Sequence, residues 1–348
     1  MQMLDGFTFD DVLLVPNYNG IKSRQDVSTR CSFKKWGFDI PVSSSNMDTI
    51  TGSKMATLIA THGGLGILHR FLSVEDSVTD FLAVPEALRS KAGVSIGVGD
   101  AAIGRAEALV GAGASILCVD VAHGHSKQVN TTIRALREKF SDNVLVIAGN
   151  VATYAGADYL AAAGADVIKV GIGGGSVCST RIKTGFGVPQ LSAIMMCRQV
   201  DRPLIADGGI RHPGDAVKAL AAGADMVMLG GMLAGTEETP GESRVVVRED
   251  GSEVRVKRFR GMASQEAQED FMGQMAEWKT AEGVALDVPT TGSASLVIRD
   301  LLGGIRSGMT YAGALTLEEL KRKAQFMRVT PATGRESAPH ALDRSPRR

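Results

Sequence analysis

Charge of one sign is what this chain of 348 residues lacks: 38 basic and 38 acidic side chains cancel to a formal net charge of zero. That excludes a broad nucleic-acid face or a polyanion partner held by bulk charge, though backbone amides can still bind a phosphate without adding net charge. Aromatic residues are scarce too, at 5%. The core therefore rests on Ala, Val, Ile, Leu and Met, which suits buried parallel strands covered by Ala-rich helices. No window reaches 18 apolar residues, so no transmembrane helix is expected. The start, "MQMLDGFTFDDVLLVP", shows no basic stretch ahead of an apolar run, as a signal peptide would. Cysteine is rare, and Cys31, Cys118, Cys178 and Cys197 have neither zinc-site nor dense disulfide spacing. A cytoplasmic location is the expectation.

What is present is a repeated phrase. A helix-like run, an Ala-Gly-Ala unit and an apolar run recur in "GAGASILCVDVA" (111–122), "AAGADVIKVGIG" (162–173) and "AAGADMVMLGG" (221–231). The glycine closes a helix and the next residues read as a strand buried on both faces. Eight such strands are expected, at 38–47, 64–69, 93–99, 115–122, 144–151, 166–171, 203–209 and 225–231. Eight strands alternating with helices imply an α/β fold, a (β/α)8 TIM barrel, in preference to a doubly wound open sheet. Polar residues gather at the strands' C-terminal ends ("NMD", "DVAHG", "GNV", "GIGGG", "ADGG", "LGGM"), the face that carries the active site in such barrels. The whole chain, 1–348, reads as one catalytic domain. Beyond strand 8, residues 245–261 read as a hairpin turning at 249–252, and the polar stretch 264–283 as a mobile flap within 245–290. The tail 331–348 reads as flexible.

Several residues suggest chemistry. Paired glycines in "ADGG" (206–209) and "LGGM" (229–232), after strands 7 and 8, can close backbone N–H groups on a phosphate, with Asp207 holding ribose hydroxyls. Cys178 lies in the glycine-rich loop "VGIGGGSVCSTR", where exposed amides can stabilise a thiolate. Thr180 follows it, but a hydroxyl is a poor base without a carboxylate's help. Lys169, inside strand 6, suggests a Schiff-base phosphosugar aldolase as a rival. His123 and His125 lack a third metal ligand at matching spacing. Trp278, in the flap, can stack on a flat ring.

Together these motifs resemble the IMP dehydrogenase/GMP reductase family. "GIGGGSVCSTR", "KTGFGVPQLSA", "NMDT", "DVAHGHS", "AGNV", "ADGG", "MLGGMLAGTEE" and "LLGGIRSGMTYAGA" carry the resemblance colinearly from about residue 4 to about residue 330. It implies a homotetramer of barrels in which a loop cysteine forms a thioimidate with purine C2, the nucleotide partners being GMP and IMP. The paired regulatory (CBS) domain of most dehydrogenases has no room between strands 2 and 3. No Arg-Tyr pair, which activates water in the dehydrogenases, occurs in 264–290. "MAEWKTAEG" instead resembles the GMP reductase flap, so the resemblance implies NADPH-dependent reduction of GMP. Cys178, Thr180 and Glu282 then form the catalytic set. A barrel-only IMP dehydrogenase, oxidising IMP to XMP with NAD, is the alternative.

By the same resemblance, Ser176, Asp207, Gly208, Gly209, Gly230 and Gly231 hold the nucleotide. Gly261, Met262, Ala263, Lys279 and Gly283 complete that site. The dinucleotide meets Ser23, Arg24, Arg70, Asp120, Val121 and Ala122, together with Trp278, Ser307, Gly308, Met309 and Thr310. Gly173, Gly175, Cys178 and Arg181 resemble a monovalent-cation (K+) site. The chain departs from the family pattern at "GGGS", usually Gly-Pro-Gly-Ser, and at Ala263, usually serine. Lys279 replaces a common arginine and loses its bidentate fork. "RESAPHAL" resembles the dehydrogenase C-terminus.

Overall fold

A computed structural model describes residues 3–337 and places all eight expected strands in one closed parallel barrel. They are β1 (Val42–Ser44), β2 (Leu65–Leu68), β3 (Ala92–Ile96), β4 (Ile116–Asp120), β5 (Leu145–Val151), β6 (Val167–Val170), β7 (Leu204–Asp207) and β8 (Met226–Leu229). β8 pairs with β1, with Val227 opposite Val42, and closes the ring. Along each strand alternate residues face opposite ways. Leu65, Ile67, Ile116, Cys118, Ile147, Ile205 and Met228 fill the barrel interior. Their neighbours Leu68, Leu117, Val119, Val146, Ala148 and Ala206 pack outward under the helices.

The repeated Ala-Gly-Ala phrase has the predicted use. Gly113, Gly164 and Gly223 each follow a helix with φ of +102°, +111° and +128°. Only glycine enters that region without cost, so each helix can stop and turn into the next strand within three residues. At the opposite end a short hairpin, Cys31–Phe33 with Trp36–Phe38, seats Phe33, Trp36 and Phe38 against the interior cluster. Trp36 Nε1 donates to Ser115 Oγ at 3.1 Å, just ahead of β4. These side chains plug the bottom of the barrel.

The connection from β2 to β3 holds a single α-helix, Val74–Leu82. No helix of the described residues is long and apolar enough to cross a membrane. Beyond β8 the expected hairpin is present: β9 (Arg244–Val247) pairs antiparallel with β10 (Glu253–Arg260). Two features differ from expectation. A third strand, β11 (Ala285–Pro289), pairs with β10, and part of the polar stretch is a helix, Gln265–Met272, capped by Ser264 Oγ. Its acidic Glu266 and Asp270 bond Arg258 and Arg260 of β10, while Ala267 is buried and Phe271 packs edge-on against Phe71. Most of the tail expected at 331–348 lies outside the described residues; Thr333–Ser337 forms a short helix.

Candidate active site

Three strand ends meet in a buried ion cluster. Lys169 is the third residue of β6, and the strand's alternation turns it into the barrel. Its Nζ lies 2.7 Å from Asp120 Oδ1 at the end of β4 and 2.7 Å from Asp207 Oδ2 at the end of β7. Asn150 Nδ2 donates to the same Asp207 oxygen at 2.9 Å. Burial opposes the charge on Lys169, but the two carboxylates outweigh it and hold its pKa above the ordinary lysine value. This argues against the Schiff-base reading, since an amine must lose its proton before it attacks a carbonyl. For Asp120, burial pushes the carboxyl up; Lys169 more than offsets it, helped by Arg70 and Asn46, and the pKa is lowered.

The glycine-rich loop rises from β6 and ends in the short helix Thr180–Thr184. Cys178 N–H donates to the Gly175 carbonyl at 3.1 Å, and Cys178 Sγ lies 3.1 Å from Thr180 Oγ1. The flap returns over this loop. Ser179 N–H donates to the Glu282 carbonyl at 2.9 Å, Val284 N–H to Val177 at 2.9 Å, and Glu282 N–H to Ala263 at 3.0 Å. Gly283 thus pairs backbone to backbone with Cys178. Cys178, Thr180 and Glu282 line one cavity of about 400 Å³, with Asp207, Gly208, Gly261, Met262, Ala263 and Gly283. No hydrogen bond joins the Glu282 carboxylate to Thr180 among the described residues. Arg70, Asp120, Val121 and Ala122 form another wall, where Arg70 Nε is buried without a partner.

A second cavity of about 450 Å³ adjoins the first and shares Asp207 and Gly208 with it. Ser176, Gly209, Gly230 and Gly231 line it, walled by Phe259 and Met47. Ser176 Oγ stands 2.7 Å from where a Gly231 Cβ would be, so a side chain there would displace the hydroxyl. The residues after β8 form turns.

Other expected residues lie elsewhere. Arg24 and Thr310 line a separate surface hollow, Ser307 and Gly308 another, and Met309 is fully buried. None of these, nor Ser23, reaches the Cys178 cavity in this chain. Trp278 is 83% exposed with Lys279 Nζ 5.4 Å over its ring, and neither lines the cavity. Of the expected cation ligands, the Gly175 carbonyl accepts from Cys178 and that of Arg181 from Gly185. The carbonyls of Gly173 and Cys178 accept no hydrogen bond among the described residues. Among those residues no group of three His, Cys, Asp or Glu side chains gathers as a metal site.

Sequence reasoning missed Asn150 as the partner of Asp207, and Arg260, which binds Asp48 of the "NMD" turn at 2.6 Å and ties the flap to β1. It also missed Gln268, whose amide lines the cavity while donating to the Ala263 carbonyl at 3.1 Å. The strand-end motifs flagged these loops, but not which side chains meet.

The family model described as "IMP dehydrogenase / GMP reductase domain" matches residues 6–340. GMP reductase 2 of Mus musculus is 41% identical over 92% of this chain and 94% of its own length. A crystal structure of inosine 5′-monophosphate dehydrogenase from Legionella pneumophila is 54% identical with a TM-score of 0.84, covering 94% of this chain and 99% of that one. A crystal structure of a GMP reductase variant from Trypanosoma brucei, in complex with guanosine 5′-monophosphate, is 31% identical with a TM-score of 0.89. It covers 97% of this chain and 98% of that one.

Proposed function

The chain belongs to the IMP dehydrogenase/GMP reductase family of oxidoreductases, and within it we propose that it reduces GMP to IMP and ammonia. The observation that carries this reading is the Cys178–Thr180 contact at 3.1 Å with Glu282 in the same cavity, in a flap that has no Arg-Tyr pair. Cys178 sulfur bonds purine C2 as the C2–N bond breaks, and Thr180 and Glu282 relay the proton with which the nitrogen leaves as ammonia. A nicotinamide cofactor, NADPH on this reading, supplies a hydride to C2. The C2–S bond electrons then return to Cys178 and IMP departs. A covalent intermediate divides one hard substitution into two easier steps.

The adjoining cavity, with Ser176 and the glycine pairs after β7 and β8, suits the nucleotide phosphate; Asp207, between the cavities, suits the ribose. The unpartnered Arg70 Nε beside Asp120 suits the polar groups of a dinucleotide. The two uncommitted carbonyls of Gly173 and Cys178 suit K+. A homotetramer is part of the same reading.

One observation favours the dehydrogenase reading, IMP oxidation to XMP with NAD: the 54% identity to the Legionella dehydrogenase structure. Absorbance at 340 nm in potassium buffer separates the two. A fall with GMP and NADPH, with ammonia released, is expected; a rise with IMP and NAD instead would overturn the reductase reading. C178A should lose turnover while still binding GMP.

A further inference from the structure

Lys169 is a buried cation that the proposed chemistry does not use, yet it touches both halves of the site. Its side chain is 3% exposed, while the Asp120 and Asp207 side chains are each about a fifth exposed, at 21% and 20%. Each carboxylate gives one oxygen to the ammonium. Asp207 Oδ1 has no partner among the described residues, and Asn150 holds the other oxygen. Asp207 lines both cavities, whereas Asp120 lines only the one that contains Cys178. We propose that Lys169 is a positioning residue that couples the nucleotide and cofactor subsites, one ammonium fixing Asp207 for the first and Asp120 for the second. This rests on the reading that Asp207 holds the nucleotide ribose and Asp120 faces the dinucleotide.

The physical reason is charge balance. Two carboxylates at one small site disfavour each other's ionisation unless a cation stands between them. The other ionisable groups facing the cluster are Cys118 beneath it and Arg70 on the cavity wall. Burial pushes the Cys118 thiol up to about 12, so it stays neutral, and Arg70 keeps its charge. With Lys169 removed, the two acids face one another across its place, and their mutual repulsion favours a shared proton. Ribose binding at Asp207 then becomes pH-dependent. Removing the Asp120 charge as well leaves Asp207 as the sole carboxylate and restores the balance.

The test is calorimetric titration of GMP and IMP into the wild type, K169M and K169M/D120N across the neutral pH range. Near-UV circular dichroism reports the fold. The wild type should bind one of the two with a flat pH profile. K169M should bind it at least about tenfold more weakly at some pH, with a new ionisation in the profile. The double variant should return to within about threefold of the wild type with the profile flat again. A packing role would leave the double variant as impaired as K169M, and that result overturns the proposal. A flat, unchanged profile in K169M does so as well. Should K169M not fold, the double variant decides. Folded and nucleotide-binding, it supports charge balance; unfolded, or folded without binding, it overturns it. A wild type that binds neither nucleotide refutes the functional reading itself, and this inference falls with it.

Discussion

Four thiols in one chain divide by their surroundings. Burial pushes Cys31, Cys118 and Cys197 each up to about 12, which leaves almost no thiolate at neutral pH. Cys178 sits half-buried on its loop beside the Thr180 hydroxyl. Brief iodoacetamide treatment at mildly alkaline pH should therefore modify Cys178 first, and saturating GMP or IMP should slow it roughly tenfold. Peptide mapping checks this, and fast modification of Cys31 would contradict it. Cys178 was legible in the sequence because a thiol among glycines and polar residues has no core to join. Lys169 was legible only as an anomaly, a cation in an apolar strand. Its two acidic partners lie on different strands, and no local pattern shows that a closed barrel brings their ends together.

The barrel strands could be read because each is buried on both faces, and β2, β4, β6 and β8 also follow a glycine turn, which leaves a local signature. The flap could be read only in part. Its hairpin carries its own turn, but β11 takes its meaning from pairing with β10, and the helix Gln265–Met272 is held by arginines and by Phe71 on other elements. Arg260 is the hub of that arrangement, reaching Asp48, Glu266 and Asp270 while only 13% exposed. Burial works against its charge, but Asp48 and Asp270 outweigh it and raise its pKa. R260M should strand Asp48 without its partner at a cost of about 2 kcal/mol. The nucleotide KM should rise more than kcat falls, and limited proteolysis should cut first within 264–283. Cleavage at wild-type rates would show that the flap is held by something else.

At the scale of the whole molecule, the expected dinucleotide contacts fall in separate places. Asp120, Val121 and Ala122 lie beside Cys178, while Arg24 and Thr310 line a hollow of about 350 Å³ elsewhere. If both sets hold one dinucleotide, a neighbouring copy must supply the second, in keeping with the proposed tetramer. Subunits carrying C178A and subunits carrying R24E should then be weak or inactive alone, yet recover activity when co-assembled. The assay at 340 nm reads this, and no recovery in verified mixed oligomers would confine the site to single chains. The pairing of Gly283 with Cys178 has a consequence of its own. The bonds that shut the flap are the bonds that hold the loop on which Cys178 rides. Lifting the flap to admit or release a nucleotide would break them, and the sulfur would lose its setting at the moment the cleft is open to solvent. On the proposed reading the lid would be a safety catch, the thiol armed by closing and disarmed by opening.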